Sequence, residues 1–289
     1  MHLPKDHAFG ILMYHRVAAR TRGVAKPTWN VTPERFRRQL DGLLSRGYHA
    51  WSLQRVLACR QTGEPIPPHV FVVTFDDGYE CVYHDAWPIL KELAVPATIF
   101  VTTAYLDAKR HFPFDDWAAA GLNAAAAATW RPLSTQQCVE MVQNGLVEIG
   151  SHTHTHADFI GRDEVFRLDL AQSRELLQER FGLDRPTFAF PFGQHNPELV
   201  EIVRESGMAC ALTAEAHCIA PQAEPFAWGR FNVCEWDDAS TLVFKLSGGY
   251  TYLRKAWHWL RRPWRAGCAS FQKAPSCVIA ATSRGVASL

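Results

Sequence analysis

Short apolar runs alternate with amphipathic stretches along most of the chain. Runs such as "HVFVVTF" and "PATIFVT" are apolar on both faces, whereas "TPERFRRQLDGLLSRG" spaces Phe36, Leu40, Leu43 and Leu44 as one face of a helix. Strands that are apolar on both faces are typical of a parallel sheet covered by helices. The pattern therefore predicts an α/β fold built on a parallel sheet or barrel.

The same pattern predicts the individual elements. Strands are predicted at "GILMYHRV", "HVFVVTF", "PATIFVT", "LVEIGSH" and "MACALT", and "TFAFPFG" is predicted to contain the end of a strand. Helices are predicted at "TPERFRRQLDGLLSRG", "ECVYHDAWPILKELA", "STQQCVEMVQNG", "DEVFRLDLAQSRELLQERFG" and "NPELVEIVRESG". Thr32 is the predicted N-cap of the first helix, Pro33 fits its first position, and Gly182 is predicted to end the long one.

Two segments depart from the alternation of strands and helices, and they define the predicted domain organisation. Residues 105–131 are longer than an ordinary strand-to-helix connection, so we expect an inserted segment at the rim of the fold. The alternation stops after about Ser247. We therefore expect a barrel domain over 1–247 and, over 248–289, a basic aromatic helix with a flexible end.

Composition narrows the class of protein. Lys plus Arg is 30 and Asp plus Glu is 29 in 289 residues, so nothing global indicates nucleic-acid binding. The eight cysteines form no CxxC pair, and no run approaches the ~20 apolar residues of a membrane span. We expect a cytoplasmic protein with reduced thiols. The stretch "YTYLRKAWHWLRRPWR" is either a peripheral contact with the inner face of a membrane or a helix docked on the barrel; the oligomeric state stays open.

Polar side chains cluster at the predicted strand ends, which is where an α/β barrel carries its functional residues. His15 ends the first strand, Asp76 and Asp77 follow "VVTF", and His152 and His156 lie in "SHTHTH".

Two imidazoles and one carboxylate are a common ligand set for a divalent metal, and a second aspartate beside them can take a proton from water. Alternatively, the histidines are a polar cluster on a loop. Asp77-Gly78 is also an ordinary turn pair, although a turn leaves Asp76 unexplained.

The ordered motifs "TFDDG", "HTHTH" and "PFG" resemble those of the polysaccharide deacetylase family, carbohydrate esterase family four. The resemblance runs from "GILMYHRV" through "GRFNV". It implies a distorted (β/α)7 barrel and metal-dependent hydrolysis of N-acetyl groups on sugars.

Residue roles are implied by the same resemblance. Asp76 is the implied general base, and Asp77, His152 and His156 are the implied metal ligands. Phe192, following Pro191, would donate its backbone N–H to the oxyanion.

The chain departs from the family pattern at two positions. The family has an Arg shortly before the PF pair, but Arg185 in "RPTFAFPFG" is too far back. We expect Arg230 in "GRFNV" to hold the base instead, with a purely structural ion pair weighed equally. No general-acid histidine follows near the C-terminus. His15 would supply it, as in the circularly permuted members that act on exopolysaccharide, unless His15 is a core histidine.

Aromatic side chains supply the candidate sugar contacts. Trp236 and, in the insertion, Phe112, Phe114, Trp117 and Trp130 would stack on sugar faces, or simply pack the loops that carry them.

The predicted function is metal-dependent N-deacetylation of N-acetylhexosamine units in an exopolysaccharide or a lipid-linked glycan, with zinc favoured over cobalt or nickel. The alternatives are a metal amidohydrolase for a small non-sugar amide and a catalytically silent carbohydrate-binding protein. A glycosidase is disfavoured, because two adjacent carboxylates do not flank a glycosidic bond at the required separation.

Overall fold

A curled parallel sheet organises the part of the chain that the computed structural model describes, residues 7–121 and 125–249. The strands are β1 (Gly10–Tyr14), β2 (Arg16–Val17), β3 (Asn30–Val31), β4 (His49–Ala50), β5 (Val70–Phe75), β6 (Ala97–Val101), β7 (Val147–Ser151), β8 (Phe188–Ala189), β9 (Ala211–Leu212) and β10 (Phe231–Asn232). The strands of the main sheet are ordered β10-β1-β5-β6-β7-β8-β9, with β4 paired to the beginning of β5, and β2 pairs separately with β3.

Helices cover the outside of this sheet. They are α1 (Pro33–Leu44), α2 (Leu53–Thr62), α3 (Trp87–Leu93), α4 (Asp116–Gly121), α5 (Thr135–Gln143), α6 (Asp163–Phe181), α7 (Pro197–Glu205) and α8 (Ala239–Leu246). Strands β1 and β5 are buried along their whole length, as expected for strands with apolar side chains on both faces. The predicted α/β fold with a parallel sheet is confirmed.

The segment that carries β10 joins the two edges of the sheet. Phe231 pairs with Leu12 of β1, and three residues earlier Trp228 forms an isolated parallel bridge to Leu212 of β9. The Thr213 N–H donates to the Trp228 carbonyl at 2.8 Å. One short segment therefore contacts both the first and the last strand, and the curled sheet closes into a distorted barrel through very few hydrogen bonds.

Local sequence signals set most helix ends. Thr32 caps α1 by accepting from the Arg35 N–H, and Pro33 occupies the first turn, as predicted. Gly182 ends α6 in the left-handed conformation, with φ of 67°, also as predicted. The helix predicted at "ECVYHDAWPILKELA" instead begins with a π-helical turn, Val82–Ala86. Pro88, which has no N–H for the carbonyl one turn earlier, accounts for this wider turn.

The strands predicted at "GILMYHRV" and "MACALT" are shorter in the structure than predicted. "GILMYHRV" is interrupted at His15, which separates β1 from β2. "TFAFPFG" and "MACALT" each contribute only two paired residues, because the chain turns away from the sheet at the Pro191–Gly193 turn and before Ala211.

The segment 105–131 contributes no strand to the sheet within its described residues. The buried Arg16 side chain anchors it: Nε donates to the Thr129 carbonyl at 3.0 Å, and the guanidinium pairs with Asp115. The guanidinium also lies 3.9 Å from the ring centre of Tyr79. The inserted segment is thus tied to the strand residue that follows His15.

The predicted C-terminal helix over 248–289 lies, from residue 250 onward, outside the described residues. Among the helices of 7–121 and 125–249, none has both the length and the apolar character needed to cross a bilayer. Burial raises the pKa of the Cys81, Cys138 and Cys210 thiols to about 12. These three thiols are therefore unreactive core groups.

We expect barrel closure to depend strongly on Trp228. Its side chain is 1% exposed, packs edge-on against Phe9 at 5.3 Å and donates Nε1–H to the Ala223 carbonyl. Trp228→Ala should lower the free energy of unfolding by about 3–5 kcal/mol in chemical denaturation, because it opens a cavity at the seam. Trp236→Ala is the matched control: that side chain is 79% exposed, so its loss should change stability by about 0.5 kcal/mol or less. Equal effects of the two substitutions would contradict the assignment of Trp228 to the seam.

Candidate active site

Two adjacent carboxylates, Asp76 and Asp77, lie in a sharp backbone turn that follows β5. Asp77 and Gly78 both have positive φ, 70° and 85°, and the Gly78 N–H donates to the Asp76 carbonyl at 2.9 Å. A Cβ at residue 78 would lie 3.1 Å from Val101 Cγ1, a tight contact that adds to the preference for glycine set by the positive φ. Asp77 is strained in this conformation, and such strain concentrates at functional sites.

Asp77 meets two histidines from the segment after β7. Its Oδ1 lies 3.3 Å from His156 Nε2 and 3.5 Å from His152 Nε2, and all three side chains are buried. Among the residues that the structure describes, this is the one group of three whose donor atoms lie within 4.8 Å of one another. We call Asp77, His152 and His156 the triad.

The protonation states of the triad fit a metal ion. His152 Nδ1 lies 2.8 Å from the Ala189 carbonyl, so Nδ1 carries the proton and the lone pair of Nε2 is available to a cation placed between it and Asp77. Burial lowers the pKa of His152 to about 4, so the imidazole is neutral at neutral pH. Burial by itself would raise the pKa of Asp77, but the neighbouring histidines, His156 first, bring it well below its usual range. One carboxylate and two imidazoles are a suitable donor set for a divalent cation.

Two different contacts orient His156. The Phe114 ring stacks on its imidazole with centroids 3.9 Å apart, and the Phe192 ring packs edge-on at 4.6 Å. Its Nδ1 is buried without a hydrogen-bond partner. Ring packing, rather than a second hydrogen bond, therefore fixes this imidazole.

Asp169 on α6 supports the loop between the two histidines. Its carboxylate accepts from the His154 N–H at 2.6 Å, from the Thr155 N–H at 3.1 Å and from the Thr155 hydroxyl. Within this loop Thr153 and His156 have positive φ. His154 Nδ1 is 3.0 Å from the Thr103 hydroxyl, and His154 is not part of the triad. The loop geometry thus depends on a buried carboxylate that the sequence reasoning missed.

Asp76 points to a different partner. Arg230 Nη1 and Nη2 lie 2.6 and 2.8 Å from its two carboxylate oxygens, and the Arg230 side chain is fully buried. Arg230 Nε donates to the Thr213 carbonyl at 3.0 Å. Although burial favours protonation of Asp76, the guanidinium outweighs it and lowers the pKa of the carboxyl. Arg185, by contrast, is exposed, in agreement with the prediction that it does not hold the base.

His15 and Phe192 complete the group of predicted site residues around one cavity. His15 follows β1, is half-buried and stacks on Trp29 with centroids 5.5 Å apart. Burial lowers the pKa of His15, and the carboxylates of Asp77 and Asp76 partly oppose this effect. Phe192 has φ of 57° in the turn that buried Pro191 begins, and its ring is 58% exposed.

The cavity has a volume of about 530 Å³ and opens at the carboxyl edge of the sheet. His15, Asp76 and the triad line its floor. Its aromatic walls are Trp29, Phe114, Trp117 and Phe192.

Not every predicted aromatic contact lies at this cavity. Phe112 is buried against Tyr79, and neither Trp130 nor Trp236 lines the cavity. Trp236 is instead exposed beside Lys26, whose Nζ lies 5.5 Å from its ring centre. Trp29 was missed, because nothing in its local sequence distinguishes it from an ordinary loop tryptophan.

A distorted (β/α) barrel with a carboxylate–imidazole triad and a separate, arginine-paired carboxylate at its carboxyl edge defines a candidate metal-dependent hydrolase. The family description "Polysaccharide deacetylase" matches residues 63–211. The chain belongs to the polysaccharide deacetylase family, and the resemblance drawn from "TFDDG", "HTHTH" and "PFG" is confirmed.

Known relatives agree with this assignment. The chain is 23% identical over 232 residues to a poly-β-1,6-N-acetyl-D-glucosamine N-deacetylase of Staphylococcus aureus strain MRSA252, covering 77% of this chain and 73% of the relative. The structure of IcaB from Ammonifex degensii superposes with a TM-score of 0.69 at 27% identity, over 83% of this chain and 97% of that one. The Streptococcus pyogenes deacetylase PplD, solved with acetate, gives 0.69 at 21% identity, over 84% and 99%. These similarities confirm the predicted barrel.

We expect Asp169 to control metal affinity through the loop it holds. Asp169→Asn replaces one acceptor oxygen by an N–H₂ group that cannot accept from the His154 or Thr155 N–H, so the loop loses its clamp. Zinc affinity, measured by competition with a chromophoric chelator, should fall about 10–100-fold. Glu175→Gln on the same helix is the control, because that side chain is exposed. Unchanged zinc affinity in Asp169→Asn would show that the loop does not need the carboxylate.

Proposed function

We propose that this chain removes N-acetyl groups from N-acetylglucosamine units of a polysaccharide, with β-1,6-linked polymer as the first candidate substrate. The proposal rests on one observation: two adjacent carboxylates contact different partners. Asp77 turns to the two histidines, and Asp76 turns to Arg230. Metal-dependent amide hydrolysis uses a group that binds the cation and a separate base for the attacking water, and this turn supplies one carboxylate for each role.

The proposed roles follow from where the side chains lie. Asp77, His152 and His156 would hold a divalent cation, which when bound would polarise the acetyl carbonyl and lower the pKa of a water molecule. Asp76 takes the proton of the attacking water. Arg230 keeps Asp76 ionised and fixed in orientation, and is therefore a positioning residue.

His15 and Phe192 would complete the reaction on the opposite sides of the acetyl group. His15, on the cavity floor, gives a proton to the leaving sugar amine, which departs poorly as an anion. The backbone N–H of Phe192 donates to the carbonyl oxygen as negative charge develops there. Pro191 and the left-handed conformation of Phe192 shape the turn that presents this N–H.

Zinc is the proposed cation, with cobalt and nickel as alternatives that the same donors would accept. Cytoplasmic location and peripheral membrane contact stay predictions from the sequence. So does the assignment of residues 1–247 and 248–289 to separate domains.

Two alternatives are less well supported. A silent carbohydrate-binding protein has no use for a buried Asp76 held ionised by an equally buried arginine, since such a pair carries a desolvation cost. A hydrolase for a small amide would not need exposed aromatic side chains such as Trp29 and Phe192 around its cavity, and these favour a sugar.

We expect Asp76→Asn to separate catalysis from metal binding. The substitution removes the base but keeps a side chain of the same shape whose amide oxygen accepts from Arg230, so the triad should stay in place. Acetate release from a β-1,6-linked N-acetylglucosamine oligomer should fall at least about a thousandfold, the upper part of the range for general base catalysis. Bound zinc, measured by mass spectrometry of the native protein, should stay at the unsubstituted level. Asp77→Ala is the comparison and should lose both zinc and activity. Near-normal turnover by Asp76→Asn would refute the assignment of the base.

We expect His15→Ala to affect only substrates with a poor leaving group. Acetate release from the oligomer should fall about 10²–10⁴-fold, because the amine must be protonated as it leaves. Hydrolysis of 4-nitrophenyl acetate should change little, because nitrophenolate leaves without a proton. Equal losses on both substrates would instead place His15 in the support of the triad.

A further inference from the structure

Trp29 is a large side chain held in a backbone conformation that bulky residues avoid. Its φ is 52°, in the left-handed region. Glycine or asparagine would occupy this position without comparable strain. Strain of this kind persists only where the surrounding contacts impose it, and it clusters at ligand sites.

The backbone on both sides of Trp29 is clamped. The Arg16 N–H donates to the Trp29 carbonyl at 3.2 Å, and Arg16 Nη1 donates to the Thr28 carbonyl at 2.8 Å. On the other side, Asn30 is buried and its amide donates to the Ala18 carbonyl at 2.9 Å. These contacts fix the direction in which the indole points.

Packing does not explain the indole. Trp29 is 59% exposed, and the ring contact it makes is the stacking on His15. Hydrophobic burial therefore gains little from this side chain. The strained, clamped backbone instead presents a flat apolar face at the wall of the catalytic cavity, next to the proposed acid.

A second cavity lies next to this one. Trp117 lines both, and the wall of the second, which has a volume of about 410 Å³, includes Lys26 and Pro27 from the loop that carries Trp29. A chain of sugar units, rather than a single one, would follow such a surface.

We propose that Trp29 is a sugar-stacking residue that binds the apolar face of a pyranose ring of an N-acetylated oligosaccharide as it enters the cavity. The inference rests on the proposed function and names the binding contact of that same site. An exposed indole provides a rigid apolar surface with little entropy to lose, which suits the C–H face of a sugar ring.

The test compares two substrates. Trp29→Ala should raise KM for a β-1,6-linked N-acetylglucosamine pentamer about tenfold or more and leave its kcat within about twofold. Its kcat/KM for 4-nitrophenyl acetate, which has no sugar ring to stack, should fall much less than its kcat/KM for the pentamer. Trp29→Tyr should restore most of the affinity for the pentamer. Phe244→Ala is the matched control, because Phe244 is an exposed aromatic on α8 that does not line the cavity.

Binding without turnover separates this inference from the proposed function. In an Asp76→Asn background, calorimetry should show pentamer binding that Trp29→Ala weakens about tenfold. A pentamer affinity that is independent of Trp29 would overturn the stacking role, even if the native enzyme releases acetate from that pentamer. Absence of acetate release by the native enzyme would overturn the proposed function instead.

A stability measurement distinguishes stacking from a structural role. Trp29→Gly removes the left-handed strain together with the indole, so the melting temperature should stay the same or rise while the KM for the pentamer rises. A clear fall in melting temperature together with an unchanged KM would assign Trp29 to the structure of the loop.

Discussion

The ion pair between Asp76 and Arg230 is the interaction on which the rest of the site depends. Both groups are buried, so each is stable as a charge only because the other is present, and removing either one would leave an uncompensated charge at a cost of about 3–5 kcal/mol. Arg230 lies in the segment that closes the barrel, two residues after Trp228 and just before β10. The segment that closes the barrel therefore also holds the proposed base in place. A short, sparsely bonded seam is sufficient because the ion pair connects it to the end of β5.

Backbone strain in the described residues is concentrated around this cavity. Of the eight non-glycine residues with positive φ, five belong to it or to its histidine loop: Trp29, Asp77, Thr153, His156 and Phe192. Each is held by contacts from outside its own turn, such as Asp169 on the histidine loop and Arg16 on the Trp29 loop. The strain follows from the chemistry, because neighbouring residues must direct side chains to different partners, as Asp76 and Asp77 do.

The sequence was sufficient to predict features that rest on local or chemical necessity. Strand and helix patterns led to the parallel sheet, and the ligand chemistry of two histidines and a carboxylate, together with the family resemblance, led to the triad. The missing family arginine and the requirement that a buried arginine find a carboxylate led to Arg230, whose partner Asp76 lies 154 residues earlier. Asp169 and Trp29 were not found, because their importance comes from loop conformations that are set by distant contacts. Trp236 was predicted from residue type alone, and residue type does not determine whether a side chain faces the cavity.

Arg16 explains how a long insertion and a separate loop form two walls of one cavity. Its backbone continues directly from His15, its guanidinium pairs with Asp115 and bonds the Thr129 carbonyl in the insertion, and Nη1 bonds the Thr28 carbonyl. Phe114, adjacent to Asp115, then stacks on the triad histidine, whereas Trp29, adjacent to Thr28, stacks on His15. One buried guanidinium thus sets the positions of both aromatic walls relative to the floor. Because Arg16 begins β2, one residue after His15, the strands that carry the floor of the cavity also position the two walls between which a sugar would enter.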